Sequence, residues 1–231
     1  EYADTMALHS PQRDADAMST VLSYNLGFDQ VITVTDVSRQ GMIDALRTVR
    51  EQAQDANVVV YYSGHAVQVD GRNYLIPVDS HGWQRLDDIR VSSLPLEHVL
   101  SMLKDANLRI VILDACRTNP LGLGTKGQDL PPGLAPVTLT GLSGTLLAFS
   151  SAPGTVAYDG GPARLSPYTE ALIGSLAAPH VSLHDVFIET RRALLDKTQN
   201  GARGPQVSQE VSSLIRDVRL YPGAPSPVAV P

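Results

Sequence analysis

The sequence predicts an α/β protein in which a mostly parallel β-sheet is flanked by helices on both faces. Runs of apolar, β-branched residues, such as residues 58–60 and 110–113, are typical of strands buried on both faces of a sheet. Amphipathic stretches with helical periodicity alternate with these runs. With 231 residues, the chain can build a sizeable core, so we expect one domain over residues 1–220 and a Pro-rich disordered tail over residues 221–231.

Helices and strands alternate in the first third of the chain, as capping residues and hydrophobic periodicity predict. The predicted elements are a helix from Pro11 to Gly27, a strand over residues 30–35, a helix capped by Asp36 or Ser38, and a strand over residues 57–62. Because an α/β unit normally opens with a strand, we expect a further strand upstream of Glu1 that this chain lacks.

The rest of the chain is predicted from turn residues and caps in the same way. The predicted elements are a hairpin turn at Asp70-Gly71, a polar loop over residues 79–93, a helix entered at Pro95, a buried strand over residues 108–113, a Gly- and Pro-rich loop over residues 117–144, a strand over residues 145–150, a helix from Ser166-Pro167 to Leu176, a helix capped by Ser182, and a loop over residues 201–209. So long a loop inside one domain is usually functional or disordered.

Composition excludes some classes of partner. The net charge of −6 and the absence of a basic cluster argue against nucleic acid. No apolar run approaches the ~20 residues of a membrane-spanning helix, so no membrane partner is expected within this chain. The single cysteine, Cys116, excludes an internal disulfide framework. Composition leaves the oligomeric state open.

Cys116 and His65 are the candidate catalytic residues. Each follows a predicted buried strand, and the carboxyl ends of parallel strands meet at the edge of a sheet where ligands bind. An imidazole beside a thiol can generate the thiolate near neutral pH. The backbone N–H groups of Ala66 and Cys116 could form an oxyanion hole. Taken singly, a lone cysteine is more often a small buried hydrophobe and a lone histidine is more often structural, so the pair is the stronger signal.

The segments around these two residues resemble the caspase-like cysteine peptidases of prokaryotes, the orthocaspases, which are related to metacaspases in the caspase/peptidase C14 group. The matching segments are YYSGHAVQVDGRNYLIPVD (61–79) and IVILDACRTNP (110–120), supported by PQRDADAM (11–18), SSAPGTVAYDG (150–160) and SPYTEAL (166–172). The separation of about 50 residues between His65 and Cys116 also fits caspases.

The resemblance implies a caspase-haemoglobinase fold, with His65 as general base and acid and Cys116 as nucleophile. Two departures accompany it. The family usually has Gly after the histidine, where this chain has Ala66, which keeps its backbone N–H. The family also opens with a hydrophobic strand upstream of the position of Glu1, and we expect the sheet to lack that strand here.

The resemblance further implies cleavage after Arg or Lys in protein or peptide substrates. The matching pocket positions are Asp14, Ser63 and Asp114, and Asp159 is a further candidate. Carboxylates around a buried pocket suit a guanidinium, which forms bidentate charge-assisted bonds. The structural alternatives are a strand-end turn for Asp114 and, for Asp14, a helix N-terminal acid that favours the dipole.

Lys126 and Arg164, both in predicted loops, are candidate self-cleavage sites for such an enzyme. No cofactor is expected and no metal-ligand set is predicted. No EF-hand loop is present, so the sequence leaves calcium activation open.

Two other interpretations of the sequence remain. One is an inactive caspase-like scaffold that binds partners, favoured by Ala66 and the expected missing strand. The other is a different α/β enzyme, for which no G-x-S-x-G, P-loop or G-x-G-x-x-G motif is found.

Overall fold

A computed structural model describes residues 7–116, 133–178, 181–201 and 204–220 of the chain. Within these residues, six strands form one mixed sheet in the order β3-β2-β1-β4-β5-β6. The strands are β1 Asn57–Val69, β2 Arg72–Leu75, β3 Leu94–Pro95, β4 Leu108–Cys116, β5 Thr145–Phe149 and β6 Gln209–Ser212. The central strands β1, β4 and β5 are parallel, and the outer pairings are antiparallel. The predicted fold class is confirmed.

Three of the described helices begin at predicted serine caps. The described helices are α1 Pro11–Thr20, which continues as a π-helical turn Val21–Asn25, α2 Arg39–Gln52, α3 Leu86–Ser92, α4 Leu96–Met102, α5 Pro167–Leu176 and α6 Leu183–Thr198. The side chains of Ser38, Ser166 and Ser182 accept backbone N–H groups at the starts of α2, α5 and α6. These serines satisfy donors that a helix start leaves unpaired. Of the two predicted caps of α2, Ser38 is therefore the one used.

The two faces of the sheet bury different helices. Successive strand residues point to opposite faces. Tyr61 in β1 and Ile112 in β4 pack in one apolar cluster with residues of α1, α5 and α6. Tyr62 and Leu113, one position further along, pack in the other cluster with residues of α2 and α4. By the same alternation, polar residues two positions beyond Tyr61 and Ile112 lie on the face that α1 and α5 cover.

Strand β1 is longer than predicted. Its sequence pattern indicated an end at residue 62, but the strand continues to Val69 and turns into β2 at the predicted hairpin. Asp70 and Gly71 both have positive φ, 49° and 75°, as a tight two-residue hairpin turn requires. His65 therefore lies inside a strand, and the prediction that it follows a strand end was wrong.

The predicted strand over residues 30–35 is not a strand. This segment is extended but unpaired, and 39% of Ile32 and 49% of Val34 are exposed. An apolar groove of about 450 Å³ separates it from β1. β1 pairs with β4 on one side and with β2 only from Ala66 onward. No described strand lies between β1 and the segment, so its β-branched pattern lacks the neighbour that a ladder needs.

Three short elements were missed in the sequence. Helix α3 interrupts the polar loop predicted over residues 79–93, the two-residue strand β3 precedes α4, and strand β6 follows the predicted loop over residues 201–209. Each is brief: Ile89 is the buried residue of α3, Leu94 is the buried residue of β3, and Val211 is the single apolar residue of β6. Periodicity is weak over so few positions. Residues 133–144 contain no helix or strand, as predicted, whereas residues 117–132 and the tail over residues 221–231 lie outside the described part of the chain.

Candidate active site

The pairing of β1 with β4 brings the candidate catalytic positions together. The two strands are parallel and in register from Asn57 opposite Leu108 to His65 opposite Cys116. The backbone of Cys116 is therefore the direct neighbour of the backbone of His65. The same register sets Ser63 opposite Asp114, two positions earlier. Two positions that are about 50 residues apart in sequence thus become adjacent through strand pairing.

The backbone around His65 is held at the junction of β1 and β2. The His65 carbonyl accepts the N–H of Ile76 at 2.9 Å and the hydroxyl of Tyr62 at 2.6 Å. His65 itself is 4% exposed. Because the His65 carbonyl points toward Ile76, the Ala66 N–H in the same trans peptide unit points the opposite way, toward the β4 side.

Two buried carboxylates lie on the face of the sheet that α1 and α5 cover. Asp14 of α1 is 0% exposed and Asp114 of β4 is 5% exposed. Ser63 donates its hydroxyl to Asp14 at 3.0 Å, and the Ser166 N–H donates to Asp14 at 2.9 Å. Asp114 accepts the hydroxyl of Thr169 at 2.8 Å and that of Ser166. These five residues are called the acidic cluster below.

The acidic cluster perturbs the ionisation of its members. Burial, and then the nearby charge of Asp114, raise the pKa of Asp14 from 3.8 to about 7, against the opposing effect of hydrogen bonds from Ser166 and Ser63. Burial and the charges of Asp114 and Asp14 also raise the pKa of Tyr61, whose hydroxyl bonds to Thr169. Asp14 therefore ionises near neutral pH, where a bound cation would favour its charged form.

Asp159 lies at the start of α1 and holds it. Its carboxylate accepts the N–H of His9 and the N–H of Ser10, each at 2.9 Å. Burial raises the pKa of Asp159, but the hydrogen bonds from Ser10 and His9 outweigh it and leave the pKa below its ordinary value. Asp159 thus holds the residues just before α1, the helix whose fourth residue is Asp14.

A second link joins α1 to the loop over residues 159–166. The Arg13 guanidinium donates to the Gly161 carbonyl at 2.8 Å and to the Arg164 carbonyl at 3.4 Å. The carbonyl of the candidate cleavage residue Arg164 is therefore hydrogen-bonded, although its side chain is exposed. Lys126, the other candidate, lies outside the described residues.

Sequence reasoning identified the two acids and Ser63, which bonds to Asp14, but missed the roles of Ser166 and Thr169. Ser166 was predicted as a helix cap, and Thr169 and Tyr61 were not singled out. The Ser-Pro pair at the start of a helix signals a cap, but nothing in the sequence indicates that the cap also reaches Asp114, 52 positions away. That contact depends on how α5 packs against β4.

Two further observations on the described residues concern metal ligands and membrane spans. They include no group of three or more His, Cys, Asp or Glu side chains placed to hold a metal ion. Among the described helices, none has both the length and the apolar character needed to cross a bilayer.

Comparison with known proteins agrees with the fold. Residues 1–219 match the caspase domain of the peptidase C14 family. The chain therefore belongs to this family of caspase-like proteins, and membership indicates cysteine peptidase activity. No curated protein matches the chain.

Proposed function

We propose that the protein is a cysteine endopeptidase that uses His65 and Cys116 and cleaves after Arg or Lys in protein or peptide substrates. The observation that carries the proposal is the register of β1 and β4. It sets His65 opposite Cys116 and, two positions earlier, Ser63 opposite Asp114. The proposed base, nucleophile and acidic recognition group thus lie toward one end of one pair of strands.

The proposed reaction follows the chemistry of the paired residues. His65 removes the proton of the Cys116 thiol, and the thiolate attacks the scissile carbonyl carbon. The carbonyl oxygen becomes an oxyanion, which the N–H groups of Ala66 and Cys116 stabilise. His65 then donates its proton to the leaving amine, and the C–N bond breaks to give a thioester. Water, deprotonated by His65, hydrolyses the thioester and restores the thiol.

The proposed preference for basic residues rests on the acidic cluster. Asp14 and Asp114 are brought within one hydrogen-bond network by Ser166. A guanidinium offers five N–H donors in a plane and can replace hydroxyl donors around such carboxylates. The raised pKa of Asp14 supports the same view, because burial of uncompensated charge favours an arriving cation. Asp159 contributes indirectly in this scheme, through the start of α1.

We propose no cofactor for the reaction, and calcium activation is a separate proposal that a chelator titration tests. Self-cleavage after Lys126 or Arg164 is likewise proposed as a means of activation. Cleavage after Arg164 would first have to free its carbonyl from Arg13. Mass spectrometry of purified protein tests both sites, since a chain that stays intact and fully active contradicts processing as a requirement.

The experiment that tests the function compares hydrolysis of fluorogenic peptides ending in Arg, Lys or Asp. We expect cleavage of the Arg and Lys peptides, and loss of that activity in Cys116→Ala. A preference for Asp would leave the paired residues in place but contradict the pocket. Failure to cleave any peptide would instead favour the alternative, a caspase-like scaffold that binds partners, for which the replacement of Gly by Ala66 is the specific observation.

A further inference from the structure

We infer that Ser166 is a positioning residue for both carboxylates of the pocket and thereby sets how tightly the pocket holds a basic side chain. Its role rests on the proposed Arg/Lys-directed function. Ser166 acts through Asp14 and Asp114 rather than on the reacting atoms. The role goes beyond helix capping, the only function that the sequence indicates for this serine.

Ser166 reaches both acids from one position at the start of α5. Its N–H donates to Oδ1 of Asp14 at 2.9 Å, and its hydroxyl donates to Oδ2 of Asp114. The same hydroxyl oxygen accepts the N–H of Thr169 at 2.9 Å, which is the capping bond of α5. Ser166 is 2% exposed, so these bonds are formed away from competing water. One residue therefore ties the helix start to two carboxylates on different elements.

Asp14 and Asp114 need these hydrogen bonds because the negative charge of each opposes ionisation of the other. The charge of Asp114 opposes ionisation of Asp14, and burial opposes it further. A buried carboxylate that loses a donor either takes up a proton or turns toward another partner. The first turn of α5, a ten-residue helix, also carries a partial positive charge that favours nearby anions. Ser166 thus holds both acids in place, and its N–H partly offsets the effect of burial on the charge of Asp14.

The loop that carries Ser166 is held against α1, which fixes the backbone position of the serine. Arg13 of α1 binds the carbonyls of Gly161 and Arg164 within this loop. The loop also closes tightly on itself: a Cβ at position Gly160 would lie 1.9 Å from the carbonyl oxygen of Leu165. Only glycine permits this approach. The position of Ser166 is therefore determined from both sides, by the loop before it and the helix after it.

Steady-state kinetics on a fluorogenic Arg peptide test the inference with four variants. Ser166→Ala removes the bond to Asp114 and the cap, whereas Ser166→Thr keeps a hydroxyl. Thr169→Val removes the other hydroxyl on Asp114 without altering the cap. Ser182→Ala is the matched control, because Ser182 caps α6 through Asp185 in the same way. Thermal unfolding of each variant reports the cost of losing a cap.

We expect KM for the Arg peptide to rise about tenfold in Ser166→Ala with little change in kcat, because a hydrogen bond to a charged group is lost. Ser166→Thr should restore KM, Thr169→Val should raise it, and Ser182→Ala should lower the melting temperature but leave KM unchanged. If Ser166→Ala does not fold, Ser166→Gly replaces it, because glycine at a helix start costs less stability than alanine and also lacks the hydroxyl. An unchanged KM in whichever of these two variants folds overturns the inference. A wild-type protein with no preference for Arg overturns the proposed function and this role with it.

Discussion

The paired catalytic positions and the acidic cluster lie next to each other but are held in different ways. His65 and Cys116 are aligned by the ladder between β1 and β4, and the His65 carbonyl is held by the N–H of Ile76 and the hydroxyl of Tyr62. Asp14 and Asp114 are held by side chains and an N–H from α5, across sequence separations of 152 and 52 positions. The first arrangement therefore persists as long as the sheet does. The second depends on how helices pack against the sheet, and single side chains can alter it.

We expect the pairing of His65 with Cys116 to determine the rate of the chemical step and the acidic cluster to determine which substrate binds. In the proposed function, paired residues of β1 and β4 supply the nucleophile and the base, and strand pairing aligns their backbones. In the same proposal, residues of α1 and α5 tune the charge and placement of the pocket that selects the substrate. We therefore expect substitutions in the acidic cluster to change KM and substrate preference while the chemical step survives.

The largest expected effect is that of Asp114→Asn. The substitution removes a charge that a guanidinium would pair with, and we expect kcat/KM for an Arg peptide to fall about a hundredfold. The fall should appear mostly in KM. Asp185→Asn, at the exposed start of α6, is the control and should leave kinetics unchanged. A loss of kcat equal to the loss of kcat/KM would show that Asp114 acts in catalysis rather than recognition.

The pH dependence of binding should reveal the ionisation of Asp14. Because its pKa is raised to about 7, the pocket gains negative charge as the pH rises through neutrality. We expect an amidated peptide ending in Arg to bind Cys116→Ala more tightly at pH 8 than at pH 6, as calorimetry can measure. The variant Cys116→Ala avoids changes in the nucleophile. Binding that shows the same pH dependence after a further Asp14→Asn substitution would contradict this assignment.

Ionisation of Asp14 should lower the stability of the fold, whereas it should strengthen binding of the Arg peptide. The folded pKa of Asp14, about 7, exceeds its ordinary 3.8, so between these pH values the folded state binds more protons than the unfolded state. Its contribution to the free energy of unfolding is therefore constant below about pH 4, falls as the pH rises to about 7, and levels off above that. Chemical denaturation of Asp14→Asn should lack this component. An unaltered pH profile in that variant would exclude Asp14 as its source.

The smallest expected effect is that of Tyr61→Phe. The change removes a hydroxyl that bonds to Thr169 but leaves both hydroxyl donors on Asp114. We expect a loss of about 1 kcal/mol in stability and an unchanged preference for Arg. A large change in KM would mean that Tyr61 belongs to the pocket itself, and urea titration beside kinetics separates the two outcomes.

The sequence predicted the structure correctly where the local residue pattern and the backbone pairing agree. The buried strand before Cys116, the hairpin at Asp70-Gly71 and the caps at Ser166 and Ser182 carry signals within a few residues. The segment over residues 30–35 carries an equally clear strand pattern, yet it forms no strand because no described strand pairs with it. Pattern predicts what a segment can form, whereas pairing requires a neighbour.

The acidic cluster also contains contacts that the sequence could not predict. Family motifs pointed to Asp14, Ser63 and Asp114, and the structure joins all three in one network. The link through Ser166 could not be predicted, because its hydroxyl could serve the helix cap without touching any acid. Only the packing of α5 against β4 decides that it does both.

Covalent labelling tests the central claim most directly. Peptidyl chloromethyl ketones ending in Arg or in Asp should be incubated with the wild-type protein and the adducts located by mass spectrometry. We predict that the Arg reagent reacts much faster than the Asp reagent and that the adduct lies on Cys116. An adduct on another residue, or faster labelling by the Asp reagent, would contradict the assignment of Cys116 as nucleophile or of the acidic cluster as its recognition pocket.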